Sequence, residues 1–148
     1  MSLEHSEKNI SHNPNCPFCQ VLTGKRPGFI LFRNEHIASI LSLEGHPLVI
    51  PVSHLEKLDE ETASKIGSFV YSAKTEDIIK NVYQATGLNT LSSVGEDAGQ
   101  EQKHYHVHLI PRYANDNLRV FANKLNTKNT LQRSHIASLI RGKLPTIK

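Results

Sequence analysis

The chain has 148 residues, of which 38% are hydrophobic and 21% are charged, and this composition is ordinary for a globular protein with one domain-sized core. No apolar stretch approaches the roughly 18 residues of a membrane-spanning helix, and the first residues lack the apolar segment of a signal peptide. We therefore expect a cytoplasmic protein without a membrane partner. In that compartment its two cysteines predict a metal-binding or redox pair rather than a disulfide.

The net charge of +3 is unevenly distributed. Residues 112–148 hold eight of the seventeen Lys and Arg residues but only one of the fourteen Asp and Glu residues. A basic end can steer anionic substrates toward a site, but a solvated tail has the same composition. The tail has few aromatic residues for base stacking, so nucleic acid is an alternative partner rather than the expected one.

The first third of the chain predicts a short helix and part of an antiparallel sheet. Residues 1–15 are polar and predict a flexible leader. Residues 16–23 predict a short helical turn, closed by Gly24. Asn34 and Glu35 predict a hairpin turn between two strands. Short apolar runs predict three strands in this part, at residues 29–33, 36–41 and 47–51.

The middle of the chain predicts one long helix. Asp59 is a suitable N-cap, apolar residues give one face at helical spacing through Thr86, and Gly87 fits the position after the last turn. Two more strands and a C-terminal helix are expected at residues 88–94, 103–111 and 131–140. Together these elements predict an α+β fold with a mainly antiparallel, five- to six-stranded sheet, one long helix and a short C-terminal helix.

Three histidines occupy alternate positions in the last predicted strand: His104, His106 and His108. Alternate residues of a strand share one face, so the three imidazoles line one side. The residues on the other side can pack into a core: Tyr105, Val107 and Leu109. The polar loop before this strand contains Gly95 and Gly99, where backbone N–H groups can approach an anion closely. We interpret this combination as a site for a phosphate ester.

The segment from His104 to Ile110 reads H-Y-H-V-H-L-I and resembles the His-φ-His-φ-His-φ-φ signature of the histidine triad (HIT) family. Two upstream segments resemble the family's Gly-His-x-Leu-Val-Ile-Pro strand and the Cys-x-x-Cys of its zinc-bearing bacterial members: Gly45 to His54, and Cys16 to Cys19. The resemblance implies a HIT-like fold, with a HIT domain over residues 16–112 and a basic extension, residues 113–148, packing on or near it. It also implies a homodimer that pairs through the long helix and the central sheet.

The resemblance implies a nucleotide hydrolase or transferase. The reaction would cleave a nucleoside phosphoramidate or phosphoanhydride at the α-phosphate, through a nucleotidyl-histidine intermediate, and release a nucleoside monophosphate. His106 would be the nucleophile and His108 would bind phosphate oxygens, with His104 as the third triad residue. Histidine suits this role because much of it is unprotonated near neutral pH. A dinucleoside polyphosphate hydrolase and a nucleotide-binding module with weak catalysis remain alternatives.

Other substrate contacts implied by the resemblance lie in two loops: Ser42, His46, Ser93, Gly99 and Gln100. The loop from Ser42 to His46 is shorter than in many relatives, where an acidic or amide residue reaches the ribose. Nucleoside recognition therefore departs from the family pattern at this loop. We expect three apolar residues to form a wall for the base: Phe18, Phe32 and Ile40.

Cys16 and Cys19 have the tight spacing that supplies two ligands to tetrahedral zinc. The resemblance implies that His54 and His104 supply the other two. Zinc would then be structural and would support His106 from behind. The alternative is that both cysteines are small buried hydrophobic residues and that His104 only forms hydrogen bonds.

Overall fold

The computed structural model of the protein describes residues 10–119 and 128–143. The chain forms two compact units, Met1–Asp116 and Asn117–Lys148. Most of the predicted leader, residues 1–9, lies outside the described residues, as do residues 120–127 and 144–148 of the predicted extension. The predicted extent of the HIT domain, residues 16–112, stays a prediction.

The described part of the first unit contains three α-helices, a one-turn 3₁₀ helix (Glu96–Ala98) and five strands, and the second unit contains one α-helix within its described part. In chain order, the elements are α1 (Pro17–Leu22), β1 (Ile30–Arg33), β2 (Ile37–Leu41), β3 (Pro47–Pro51), α2 (Glu60–Val70), α3 (Ala73–Tyr83), β4 (Gly87–Leu91), β5 (Val107–Arg112) and α4 (Thr130–Arg141). None of the described helices is both long and apolar enough to cross a bilayer.

The five strands form one sheet in the order β1-β2-β3-β5-β4, and every neighbouring pair is antiparallel. The predicted α+β fold with a mainly antiparallel sheet is therefore confirmed. The predicted hairpin is confirmed as well, because the Asn34 side chain accepts hydrogen bonds from the backbone N–H groups of His36 and Ile37 at 2.9 Å each. This Asx turn reverses the chain between β1 and β2.

The prediction of one long helix is wrong, because the helix is interrupted at Tyr71 and Ser72 and forms two shorter helices, α2 and α3. The Ser72 hydroxyl accepts a hydrogen bond from the Thr75 N–H at 3.1 Å and caps the start of α3. A serine side chain can bond to nearby backbone in this way and compete with helix continuation. Helix α3 then ends at Tyr83, with Gln84 as its C-cap in a left-handed conformation, and Gly87 begins β4 instead of capping a helix.

Each face of the sheet carries its own apolar cluster. Helices α2 and α3 cover one face, where the core residues are Ile37, Val49, Ile66, Val70, Ile79, Val107 and Leu109. The other face packs against α1 and holds Leu22, Ala38, Ile40, Leu48, Ile50 and Val52. The predicted packing of Val107 and Leu109 into a core, with Tyr105 beside them, is confirmed. The histidines therefore lie on the side of α1.

The strand that carries the triad is shorter than predicted. It begins at Val107, so only His108 of the three histidines lies within β5. The backbone N–H of Tyr105 donates to the carbonyl of Leu55 at 2.7 Å, which directs this segment toward the loop after β3 rather than into the sheet ladder. Strand β4 likewise ends at Leu91 instead of residue 94.

The predicted C-terminal helix is confirmed as α4 in the second unit. Asn129 and Gln132 form a reciprocal capping box at its start, and Gly142 follows its last turn. A capping box satisfies two backbone donors that have no partner within the helix.

Candidate active site

Strand register brings His46 and His108 together. Leu48 in β3 is the cross-strand partner of His108 in β5. His46 lies two residues before Leu48 and therefore projects on the same side, where it is a diagonal neighbour of His108. The Nε2 atom of His46 lies 2.9 Å from Nδ1 of His108, a hydrogen-bond distance. Residues separated by 62 positions thus form one imidazole pair.

His106 lies beside this pair with a defined tautomer. Its Nδ1 atom is 2.8 Å from the backbone carbonyl oxygen of His104. A carbonyl only accepts hydrogen bonds, so Nδ1 carries the hydrogen and Nε2 of the neutral ring keeps its lone pair. The rings of His106 and His108 are 5.0 Å apart and inclined at 71°. The neutral His106 ring therefore offers the lone pair of Nε2 next to the imidazole of His108.

His104 is fully buried and has different hydrogen-bond partners from the other two triad residues. Its Nε2 atom donates to the Pro51 carbonyl at 2.8 Å, which leaves Nδ1 directed at Cys16 and Cys19, each sulfur 3.5 Å away. The pKa of His104 is lowered to about 4, mainly by burial. A neutral imidazole with one nitrogen held by a carbonyl is the usual form of a metal-binding histidine.

Cys16, Cys19, His54 and His104 form a four-residue cluster whose ligand atoms all lie within 4.8 Å of one another. Nδ1 of His54 is 3.5 Å from the Cys19 sulfur. Zinc bonds of about 2.0–2.3 Å in a tetrahedron separate neighbouring ligand atoms by about 3.3–3.8 Å. The cluster is therefore compatible with a zinc site, and the predicted residues are the ones that meet.

The electrostatic surroundings keep the imidazole pair neutral. Burial lowers the pKa of His108, and the neighbouring His106 and His46 lower it further, while Glu44 opposes this shift. Burial also lowers the pKa of His46, again against the effect of Glu44. Both rings can then share the hydrogen bond between them without charge repulsion near neutral pH.

Only part of the expected apolar wall lies on the side of the histidines. The Phe18 ring contacts those of His104 and His106 at centroid distances of 5.8 and 5.2 Å. Phe32 was expected in the same wall, but it stacks on Phe69 of α2 at 5.2 Å on the opposite face. A bulge between Ile30 and Phe32 reverses the faces of β1.

Ile30, rather than Phe32, is the β1 residue on the side of the histidines. It is the cross-strand partner of Ile40, which belongs to the apolar cluster that Phe18 packs against. Cross-strand partners project from the same face of a sheet. Ile30 and Ile40 therefore lie on the same face of the sheet as His108, with Leu48 between Ile40 and His108.

The loop between β4 and the triad is shaped by Gly95 and Gly99, whose φ angles are +92° and +85°. Gln100 fixes the loop, because its Oε1 atom accepts from the Gly95 N–H at 2.8 Å. Its Nε2 atom is buried and has no hydrogen-bond partner within the described part of the chain. No hydrogen bond among residues 10–119 joins Ser93, Gly99 or Gln100 to a histidine, and their roles in substrate binding stay predictions.

The turn between β2 and β3 carries His46 and is closed by Ser42. The Ser42 hydroxyl accepts from the His46 N–H at 3.1 Å, and the Ser42 N–H donates to the His46 carbonyl at 2.9 Å. Tyr83 of α3 donates its hydroxyl hydrogen to the Gly45 carbonyl at 2.7 Å. Sequence analysis missed this contact, although a half-buried tyrosine at a helix end usually has a partner for its hydroxyl.

The chain is similar in sequence and fold to known proteins of one family. Residues 23–115 match the family described as HIT domain. The chain is 38% identical over 104 residues to the protein Hit of Bacillus subtilis (strain 168), an alignment that covers 67% of this chain and 72% of that protein. It is 30% identical over 142 residues to adenylylsulfatase HINT3 of Arabidopsis thaliana, covering 84% of this chain and 71% of HINT3. The crystal structure of a HIT family protein from Bacillus anthracis has a TM-score of 0.76 and 33% identity, covering 89% of this chain and 99% of that one.

Proposed function

The chain belongs to the HIT family, and we propose that it is a nucleotide hydrolase or transferase that acts at the α-phosphate of a nucleoside phosphoramidate or phosphoanhydride. The product is a nucleoside monophosphate. A similar protein of Arabidopsis thaliana carries the name adenylylsulfatase, which is an activity on a nucleotide substrate. This relationship supports the substrate class, and the geometry of the histidines supports the chemistry.

The observation that carries the proposal is the hydrogen bond from Nδ1 of His106 to the His104 carbonyl. It leaves the lone pair of Nε2 available for attack on phosphorus. Nε2 forms a bond to the α-phosphorus while the bond to the leaving group breaks, and the leaving group takes up a proton from solvent, which the attacking water of the second step returns. Water then attacks the nucleotidyl-histidine, releases the monophosphate and restores the free imidazole.

His108 and His46 assist through their shared hydrogen bond. When Nε2 of His46 carries the hydrogen, Nδ1 of His108 accepts it and Nε2–H of His108 is directed away from the pair. That N–H group donates to a non-bridging oxygen of the phosphate. A preorganised donor of this kind stabilises the charge that develops on the phosphoryl oxygens.

The remaining substrate contacts surround the triad. We assign phosphate and leaving-group contacts to the loop of Ser93, Gly99 and Gln100, through the Ser93 hydroxyl and the Gln100 side-chain amide. The backbone N–H groups of Gly99 and Gln100 donate to Glu96 and Gly95 within the loop, so Gly99 contributes by shaping the turn. The Gln100 Nε2 atom supports this assignment, because a buried amide donor without a protein partner is satisfied by a ligand oxygen. Ser42 supplies a hydroxyl at the short turn on the nucleoside side.

We assign the cysteine–histidine cluster to a structural zinc ion held by Cys16, Cys19, His54 and His104. When bound, the ion would link the segment before α1 to the triad. Burial raises the pKa of the Cys19 thiol, whereas coordination favours the thiolate. The N–H of Asn13 donates to the Cys19 sulfur at 3.4 Å, a contact that suits a coordinated thiolate. The Nε2–H bond of His104 to Pro51 fixes the ring for coordination through Nδ1.

We propose that the protein functions as a homodimer that pairs through α3 and the edge strand β4. Ile78 and Val82 lie one turn apart on α3 and are 53% and 71% exposed. Tyr71, at the end of α2, is 75% exposed. An exposed apolar stripe at helical spacing beside an open sheet edge is suited to self-association.

Turnover of adenosine phosphoramidate by the purified protein tests the proposal, with a diadenosine polyphosphate as the competing substrate. We expect release of AMP by the wild type and a loss of about a thousandfold or more in kcat for His106→Ala. His36 directly precedes β2 and lies outside the proposed site, so His36→Ala serves as the matched control and should retain activity. A covalent nucleotidyl adduct should be trapped by denaturing the wild type alone in alkali, because the bond between phosphorus and an imidazole nitrogen survives in base and hydrolyses in acid.

The outcomes separate the alternatives. Faster turnover of the diadenosine polyphosphate identifies a dinucleoside polyphosphate hydrolase. If the wild type and His106→Ala turn over neither substrate but both bind AMP, the protein is a nucleotide-binding module. Wild-type rates in the His106→Ala variant would refute the assigned nucleophile.

A further inference from the structure

Tyr83 lies at the last position of α3, where its hydroxyl reaches the turn between β2 and β3. The phenol donates to the carbonyl of Gly45 at 2.7 Å, and Gly45 directly precedes His46. Burial raises the pKa of Tyr83, and Tyr113 contributes to the shift. The hydroxyl therefore stays protonated and remains a hydrogen-bond donor at neutral pH.

The turn has few other connections to the rest of the unit. Its remaining backbone hydrogen bonds join Ser42 to Gly45 and to His46, and are therefore internal. Within residues 10–119, the Tyr83 hydroxyl and the imidazole of His108 are the two partners that hydrogen-bond to residues 42–46 from other elements. The position of His46 against His108 thus depends on a contact from a helix on the opposite side of the sheet.

The backbone conformation of Gly45 makes the turn dependent on the hydrogen bond from Tyr83. Its φ angle is +91°, a conformation that glycine adopts readily and other residues rarely adopt. A glycine in a turn has a flexible backbone when it is not restrained. The hydrogen bond from Tyr83 to the Gly45 carbonyl restrains the peptide that joins Gly45 to His46.

We propose that Tyr83 is a positioning residue for the reaction, because it holds the turn that aligns His46 with His108. This inference rests on the proposed function. Tyr83 acts through His46, so its removal should reduce the rate of chemistry more than substrate binding. The helix that carries the proposed dimer stripe is thereby connected to the imidazole pair by one hydrogen bond.

The test compares kcat and KM for adenosine phosphoramidate in Tyr83→Phe and in the matched control Tyr113→Phe. The Tyr113 hydroxyl also makes a 2.7 Å bond to a backbone carbonyl, that of Tyr83, but it does not bond to the turn. We expect Tyr83→Phe to lower kcat by about five- to tenfold, the effect of one hydrogen bond, with KM nearly unchanged. Tyr113→Phe should retain the wild-type kcat.

A double-mutant cycle with His46→Ala tests whether Tyr83 acts through the histidine. In the His46→Ala background, Tyr83→Phe should have little further effect, since the group it positions is gone. An equal loss of kcat in both backgrounds would mean a general structural role and would overturn the proposal. An unchanged kcat in Tyr83→Phe would overturn it as well.

Nitrogen NMR of the imidazoles separates this inference from the proposed function. The ring resonances of His46 and His108 should shift in Tyr83→Phe and stay in place in Tyr113→Phe. If the wild type lacks turnover, the proposed function fails, and unchanged His46 and His108 resonances in Tyr83→Phe would then refute the positioning contact independently.

Discussion

The backbone carbonyl of His104 accepts the hydrogen bond from Nδ1 of His106, while the side chain of the same residue faces the sulfurs of Cys16 and Cys19. One buried residue therefore belongs to two neighbouring sites. Its ring contributes to the candidate metal cluster, and its peptide sets the tautomer of the proposed nucleophile. A change in the cluster is expected to affect the orientation of His106.

Replacement of Cys19 should abolish the stabilisation of the folded protein by zinc. At free zinc a hundredfold above its dissociation constant, the wild type should gain about 2.7 kcal/mol in its free energy of unfolding, whereas Cys19→Ser should gain almost none. Urea unfolding with and without zinc, together with metal analysis, measures this difference. His12→Ala is the control, because His12 lines the cavity beside Cys19 but is not part of the cluster. Equal stabilisation of wild type and Cys19→Ser would contradict the assigned ligands.

His46 should contribute to a loss of stability in acid. Its pKa is lowered on folding from the ordinary value of 6.5, mainly by burial, so below pH 6.5 the unfolded chain binds protons that the folded protein excludes. Its contribution is fully present above that pH and is lost as the pH falls through the lower folded pKa. His46→Gln should therefore lose less stability than the wild type between about pH 7.5 and about pH 5.5 in urea unfolding.

The exposed His135 on α4 provides the control for this measurement. His135→Gln should show the same pH dependence of unfolding as the wild type. Identical slopes for wild type and His46→Gln would show that burial of the imidazole pair does not govern acid stability.

A lysine on the apolar stripe of α3 should prevent self-association. Val82→Lys places a charge one helical turn from the exposed Ile78, and burying it in an interface would cost more free energy than the stripe contributes. Light scattering should give the mass of a dimer for the wild type and of a monomer for Val82→Lys. Asn81→Lys, also exposed on α3, is the matched control and should remain dimeric. A wild-type monomer at all concentrations would refute the pairing.

Two neighbouring positions of β1 should differ in their effect on nucleotide binding. Ile30 lies opposite Ile40 on the side of the histidines, whereas Phe32 stacks on Phe69 on the other face. Ile30→Ala should raise KM because it removes apolar surface beside the base, by up to about tenfold. Phe32→Ala should lower thermal stability and leave KM near the wild-type value. The reverse pattern would place the base on the other face.

The sequence predicted the elements and residues that depend on short-range patterns. Alternating histidines, the Cys-x-x-Cys pair, the Asn34 turn and the α+β order are all local features, and the family resemblance identified which distant residues to group. The interruption at Ser72 was missed because apolar spacing continues across it, while a single hydroxyl redirects the backbone. The face of Phe32 was missed because a one-residue bulge inverts strand alternation.

Tertiary structure alone decided which atoms meet. Cys16 and His104 are separated by 88 positions, and His46 and His108 by 62, yet both pairs lie within hydrogen-bonding range. Such distances depend on strand register and on packing between the two faces of the sheet, which are cooperative properties of the whole unit. The contact between Tyr83 and Gly45 is of the same kind, because no local pattern records where a side chain from one element will find a carbonyl of another.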